Sequence, residues 1–409
     1  MQKTVMQKYA RLIARKGVNI KKCQEVIINA SLDQPDFVCM VAEECYRAGA
    51  SKVTVDWSHQ PLTKLNYRFR SQKVLDRIED WELSRLEHRA DTLPAMIYIE
   101  SDDPDGLSGI DQEKVSKAQR ARYPMIKPIR DKMENKYQWC IAAVPGEKWA
   151  KAVFPDLRVN RAVEKLWEAI LYTSRADGDD PVAAWEAHNA DLKARCEYLN
   201  SLGIDELHYT SSNGTDLSVG LIKDALFLGG SELTLGEGRE FNPNIPSEEV
   251  FTSPMRGRAE GKVVSTRPLS YRGELIENFS IEFEHGRATR VSAEKNEELL
   301  RNMISLDDGA AYLGEAALVP YDSPIRNSEI VFRNTLFDEN ACCHLALGMG
   351  FANCIKDYGK YTLEECRKKG INDSMIHVDF MIGSPDLSVD ALTRDGRTVP
   401  VFRNGNWAF

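Results

Sequence analysis

At 409 residues the chain is too long for one ordinary core, so two domains are expected. Its 43% hydrophobic and 28% charged residues suit a globular protein, and a net charge of −9 argues against a nucleic-acid binder with a basic face. No stretch approaches the roughly 18 consecutive apolar residues of a membrane-spanning helix.

The first twelve residues have no apolar core and no cleavage pattern of a secretory signal. Nine cysteines form an odd set without a CxxC pair, which suits buried thiols in a reducing compartment, so a cytosolic protein is expected. Residues 26–30 then read as a strand. A helix over 37–48 follows, with Asp36 as a cap and Gly49 as its stop. Strand character returns at 52–57, a long charged helix is expected over 72–93, and a strand over 96–99. Residues 110–122 read as a helix and 138–144 as a strand. This β-α alternation predicts an α/β domain with a mostly parallel sheet.

Two amphipathic helices, 159–172 and 181–199, lead to a change of texture near residue 200. The expected domains are therefore 1–200 and 201–409. Beyond the change come short β runs at 207–210, 216–221, 261–264, 276–283 and 288–291. The turns Asn213-Gly214, Arg272-Gly273 and His285-Gly286 punctuate them. Helices are expected over 293–303 and 341–351. The second half reads as an α+β domain with antiparallel sheet.

The chemistry concentrates in that half. His377-Val-Asp379 interrupts an apolar run, and strand alternation puts both polar side chains on one face. Burying them requires a partner, for which a metal ion, a His-Asp pair or a solvated face would serve. His344 lies just after Asp338-Glu339-Asn340, where Asp338 or Asn340 would cap a helix carrying it. Glu249 stands in Ile245-Pro-Ser-Glu-Glu-Val-Phe-Thr-Ser-Pro254, an extended segment held by prolines, and Glu315 in the apolar run 314–319. Glu249, Glu315, Glu339 and Asp379 with His344 and His377 suit a pair of divalent ions bridged by one acid. Cys342-Cys343-His344 as a nucleophile pair is disfavoured, because adjacent helical residues point about 100° apart. No GxSxG, HExxH or phosphate-binding loop is present.

Three motifs carry a resemblance: Ile245–Pro254, Asn334-Thr-Leu-Phe-Asp-Glu-Asn-Ala341 with His344-Leu-Ala-Leu-Gly348, and Ile376-His-Val-Asp-Phe-Met-Ile-Gly383. With Val153-Phe-Pro-Asp-Leu157, Leu166-Trp-Glu-Ala-Ile170 and the ending Phe402–Phe409, they resemble the thermophilic metallo-aminopeptidases of the aminopeptidase T, aminopeptidase S and PepS type. The resemblance implies a homodimeric, two-domain exopeptidase acting on peptides with a free N-terminus. It implies two divalent ions per subunit (Zn²⁺, Co²⁺ or Mn²⁺) in the C-terminal domain, activating a water. The implied ligands are Glu249, Glu315, Glu339, His344, His377 and Asp379, with Glu315 bridging. It further groups Glu249 with His377 and Asp379, and Glu339 with His344. Glu248 is the candidate for proton transfer; an exposed neighbour of a ligand is the alternative. Some members carry a tyrosine where Phe351 stands, a position from which a phenol would steady the oxyanion. Tyr358 and Tyr361 are candidate substitutes. The rival functions are another dinuclear hydrolase, phosphatase or amidohydrolase, for which Arg326 and Arg333 would bind phosphate, and a non-catalytic metal-binding scaffold.

Overall fold

A computed structural model describes residues 2–409, and these divide into two compact units. The first comprises the residues up to His188 with Ser231–Ser247, and the second Asn189–Gly230 with Glu248–Phe409. The division thus departs from a single change at residue 200. The helix Pro181–Ser201 runs through that point because Leu192, Cys196 and Leu199 are buried in the second unit's core. Residues 231–247 return to the first unit because Asn244–Ile245 pairs there with Trp139–Ala143.

The first unit is built on a five-stranded parallel sheet. Its order is Asn244–Ile245, Trp139–Ala143, Ala95–Glu100, Glu25–Ser31 and Lys52–Ser58. The inner strands Glu25–Ser31 and Ala95–Glu100 are nearly continuous buried runs, as expected where both faces are covered, while the edge strand Lys52–Ser58 is largely exposed. The helix Pro35–Ala48 stops at Gly49, whose φ of 109° closes a left-handed cap that a side chain would strain. Gln34 precedes that helix, so Asp36 sits inside its first turn rather than at the cap. The long helix expected over 72–93 is broken into Gln72–Leu75 and Asp80–Thr92. Ile78 is buried in the gap, and Glu79 starts the second piece by a reciprocal box with Glu82. The helix expected to end at Arg122 continues through Pro124 and Pro128 to Met133, where Ile129 and Met133 are buried.

The second unit is α+β with two larger antiparallel sheets. One has nine strands, Thr215–Leu221, Pro254–Val264 and Glu274–Glu284 among them. The other has five, in the order His377–Met381, His344–Gly348, Leu313–Leu318, Val250–Thr252, Leu228–Gly229. One face of this smaller sheet, through Val250, Leu318, Leu345, Leu347 and Phe380, belongs to the main core. By alternation its other face carries Glu249, Glu315, His344, His377 and Asp379. No helix among the described residues is long and apolar enough to cross a membrane.

Candidate metal centre

His344 is not in a helix. Thr335–Asp338 forms one short turn, Glu339–Ala341 a 3-10 turn, and His344–Gly348 is a strand. The helix expected over 341–351 is overridden by period two. Cys343, Leu345 and Leu347 enter the core, while His344 and Ala346 take the opposite face. Asp338 and Asn340 consequently cap no helix carrying His344. Asp338 instead accepts the backbone N–H groups of Phe332 and Asn334 at 2.9 and 3.2 Å.

Register brings the acids together. Glu315 pairs with Ala346, and Ala346 with Asp379, so two carboxylates flank an alanine across three strands. One row on, Ala317 pairs with His344, and on the other side Gly348 pairs with His377. A Cβ at Gly348 would lie 2.0 Å from the Ile376 carbonyl oxygen, and its φ is 108°, so only glycine fits there. Ala346, with only a methyl group, leaves a hollow between Glu315 and Asp379.

Within that hollow His377 Nε2 lies 3.0 Å from Glu315 Oε2 and 3.2 Å from Asp379 Oδ1. His344 Nε2 lies 3.2 Å from Glu249 Oε2. Two ligand groups result, Glu249-Glu315-His344 and Glu315-His377-Asp379, in each of which the donor atoms all lie within 4.8 Å of one another. Glu315 belongs to both. This grouping differs from the one the resemblance implied, because Glu249 lies against His344. Glu339 is buried and interacts with Asp379.

Backbone carbonyls orient both imidazoles. His377 Nδ1 is 2.7 Å from the Met349 oxygen and His344 Nδ1 3.4 Å from the Cys342 oxygen. With a proton on Nδ1, each ring keeps Nε2 toward the acids, free to ligate once its own proton is lost, the arrangement by which metal-ligating histidines are held. Asn340, fully buried, does more than the capping its sequence position suggests. It accepts the Glu248 N–H at 2.7 Å and donates to Leu336 O at 3.0 Å and Glu339 Oε1 at 3.4 Å. Only its position between Glu339 and His344 hinted at this. Glu248 is itself buried, not an exposed neighbour.

The electrostatics are those of buried acids crowded together. Burial lifts the Glu315 carboxyl to about 7 against the pull of His377. Burial, then Asp379, Glu249 and Glu315, hold Glu339 well above the usual carboxylate range. For His344 burial opposes the charge, but Glu249 and then Glu315 and Asp379 outweigh it and raise it to about 9. Burial is likewise overcome at His377 by Asp379 and Glu315, which push it well up. Asp379 is pulled down despite burial, by His377 and then His344. In addition, His344 Nε2 and Asp379 Oδ1 are buried and make no well-aligned hydrogen bond, lying in 3.2 Å contacts with Glu249 and His377 respectively. A cluster of four buried carboxylates and two imidazoles, with donor atoms left without well-aligned hydrogen bonds, fits divalent cations.

Phe351 packs on this site, its ring 4.9 Å from that of His377 and 5.5 Å from that of Phe251. Tyr358 and Tyr361 pack against an apolar cluster of Ile222, Ala352, Ile355, Cys366 and Ile371. Arg326 donates to the Tyr321 hydroxyl at 2.9 Å.

A family model described as thermophilic metalloprotease (M29) matches residues 2–407. Aminopeptidase T of Thermus thermophilus is 43% identical over 403 residues, 98% of each chain. Aminopeptidase AmpS of Bacillus subtilis is 41% identical over 402 residues, again 98% of each. The solved structure of wild-type AmpT from Thermus thermophilus is similar over the whole of both chains, with a TM-score of 0.89 at 41% identity. A 2,5-dihydroxypyridine dioxygenase from Pseudomonas putida shares the fold alone, with a TM-score of 0.52 and 13% identity over 99% of this chain and 96% of that one. With nearly its whole length matched, the chain belongs to the thermophilic metalloprotease (M29) family.

Proposed function

We propose that this protein is a metal-dependent aminopeptidase that removes N-terminal residues from peptides, using two divalent ions. The observation that carries the reading is the pair of overlapping donor groups sharing Glu315. Glu249, Glu315 and His344 would hold one ion and Glu315, His377 and Asp379 the other, with Glu339 beside Asp379. Nitrogen and oxygen donors without thiolate suit Zn²⁺, Co²⁺ or Mn²⁺ in a catalytic role. When bound, such ions supply Lewis acidity toward the scissile carbonyl and make water a stronger acid.

The chain's own residues do the rest. The acidic walls attract the protonated α-amine of a peptide, which an N-acetyl group would abolish. Glu248, held by Asn340, is the group assigned to accept a proton from the attacking water and pass it to the departing amine. Nine free cysteines, with no disulfide among the described residues, support a cytosolic location. A homodimer is the proposed assembly, to be read by sedimentation.

The deciding experiment strips the protein with chelator, restores Zn²⁺, Co²⁺ or Mn²⁺, and offers free and N-acetylated forms of one peptide. Metal-restored cleavage of the free form alone is expected. Hydrolysis of phosphoesters in place of peptides would point to the dinuclear phosphatase reading, and inertness toward every substrate to a scaffold.

A further inference from the structure

Beside the sheet that bears the acids is a cavity of about 500 Å³ lined by Thr266, Arg267, Tyr321, Arg326, Glu329 and Cys342, among others. Cys342 connects the two places. Its backbone is extended (φ −168°, ψ 174°), so its side chain falls on the same face as that of His344, two residues on. Two strand residues span about 7 Å. An extended peptide advances about 3.5 Å per residue. The cavity therefore begins about two peptide residues from His344.

Its walls are basic. Among the described residues Arg326 has no carboxylate partner; its guanidinium donates to the Tyr321 hydroxyl at 2.9 Å and lies over that ring at 4.8 Å. Two contacts to one tyrosine hold it in place and leave most of its donors free. Arg267 Nη1 is buried without a hydrogen-bond partner, 3.6 Å from Asp338 Oδ1. Against these stand Asp338, 3.6 Å from Arg267, and Glu329, an exposed residue of the lining. A guanidinium lacking an acid, beside a second one with an unused donor, is a receptor for a planar carboxylate.

We infer that this cavity is a carboxylate-binding subsite for the departing part of the peptide, with Arg326 the principal contact and Arg267 beside it. The inference rests on the aminopeptidase reading, and it makes short peptides ending near the cavity the favoured substrates. The terminal carboxylate and an acidic side chain share this chemistry.

The test compares Leu-Gly-Gly, its C-terminal amide, and Leu-Asp-Gly amide on the metal-loaded protein. The free acid should exceed the plain amide in kcat/KM by roughly tenfold, as one charged hydrogen-bonding pair commands. Arg326→Gln should bring the acid down to the level of the amide, and Arg326→Lys should keep part of the preference, which a misfolded variant would not. If Leu-Asp-Gly amide also outruns the plain amide, a side-chain carboxylate uses the same subsite. Equal rates for all three overturn the subsite. Should nothing be cleaved, the aminopeptidase reading falls, and binding then decides the cavity separately. An uncleavable analogue with a reduced first amide is titrated as acid and as amide. Tighter acid binding lost in Arg326→Gln sustains the subsite, and equal binding removes it.

Discussion

Glu315 and His377 meet at 3.0 Å although the strand His344–Gly348 runs between the strands that carry them. Neighbouring strands stand about 4.8 Å apart, so the two backbones are separated by roughly twice that. The side chains close the gap over Ala346, the small residue of the middle strand that pairs with Glu315. The donor cluster is thus defined as much by what the middle strand lacks as by what its neighbours carry.

Ala346→Leu should fill that hollow. Overpacking there would destabilise the fold by about 1–3 kcal/mol. Metal binding should suffer far more than stability, because the branched side chain would occupy the place where Glu315 and Asp379 converge. Thermal melting and metal analysis on one preparation check this. A variant that binds metal normally would show that the hollow is not the binding place.

His377→Ala removes an imidazole that is half-buried and packed on Phe351. Activity should fall by at least about a hundredfold, since even an outer partner of a metal ligand is worth 10–100-fold. Circular dichroism should report an intact fold. Near-normal turnover would remove His377 from the ligand set.

Asn340→Ala cuts the ties to the Glu248 N–H, Leu336 O and Glu339 Oε1 at once. Leaving buried partners unsatisfied should cost about 1–3 kcal/mol of stability. Metal affinity should fall by roughly 10–100-fold through the loss of support for the acids. Competition with a chromogenic chelator measures the second effect, and unchanged affinity would reduce Asn340 to a purely structural residue.

Metal uptake should release protons. Without a cation, burial holds Glu315 up to about 7 and Glu339 higher than usual, and the carboxylates lift His344 to about 9. Ligation needs these groups deprotonated, so the free protein carries more protons than the loaded one near neutrality. Affinity must then strengthen as pH rises through this window and weaken as it falls. Calorimetric titration with Mn²⁺ in two buffers of different ionisation enthalpy counts the protons; a count of zero near pH 7 would contradict the described charge state.

Phe351→Tyr places a hydroxyl on a ring 4.9 Å from that of His377. A donor supplied to the developing oxyanion should raise kcat by roughly tenfold or more while KM changes little. Steady-state kinetics on one peptide distinguishes this from an unchanged kcat, the result expected if the protein needs no hydroxyl there.

Much of the fold was legible because it rests on local pattern. The alternation of strands and helices before residue 180, the helix stop at Gly49 and the strand carrying His377-Val-Asp379 all follow from periodicity and punctuation within a few residues. The donor residue types were legible too, since acids and histidines stand out in apolar runs, and the family motifs named them as a set. What misled was a cap signal. Asp338 and Asn340 precede His344 as they would precede a helix, yet Asp338 closes onto the backbone of Phe332 and Asn334, and His344 enters a strand. Only pairing between segments far apart in the chain decides that Glu315, Ala346 and Asp379 form one row, that Glu249 faces His344, and that Arg326 ends without an acid. Register is a non-local property, set where one face of a strand must enter the core, and a single-residue slip would turn the donors of the slipped strand to the wrong side.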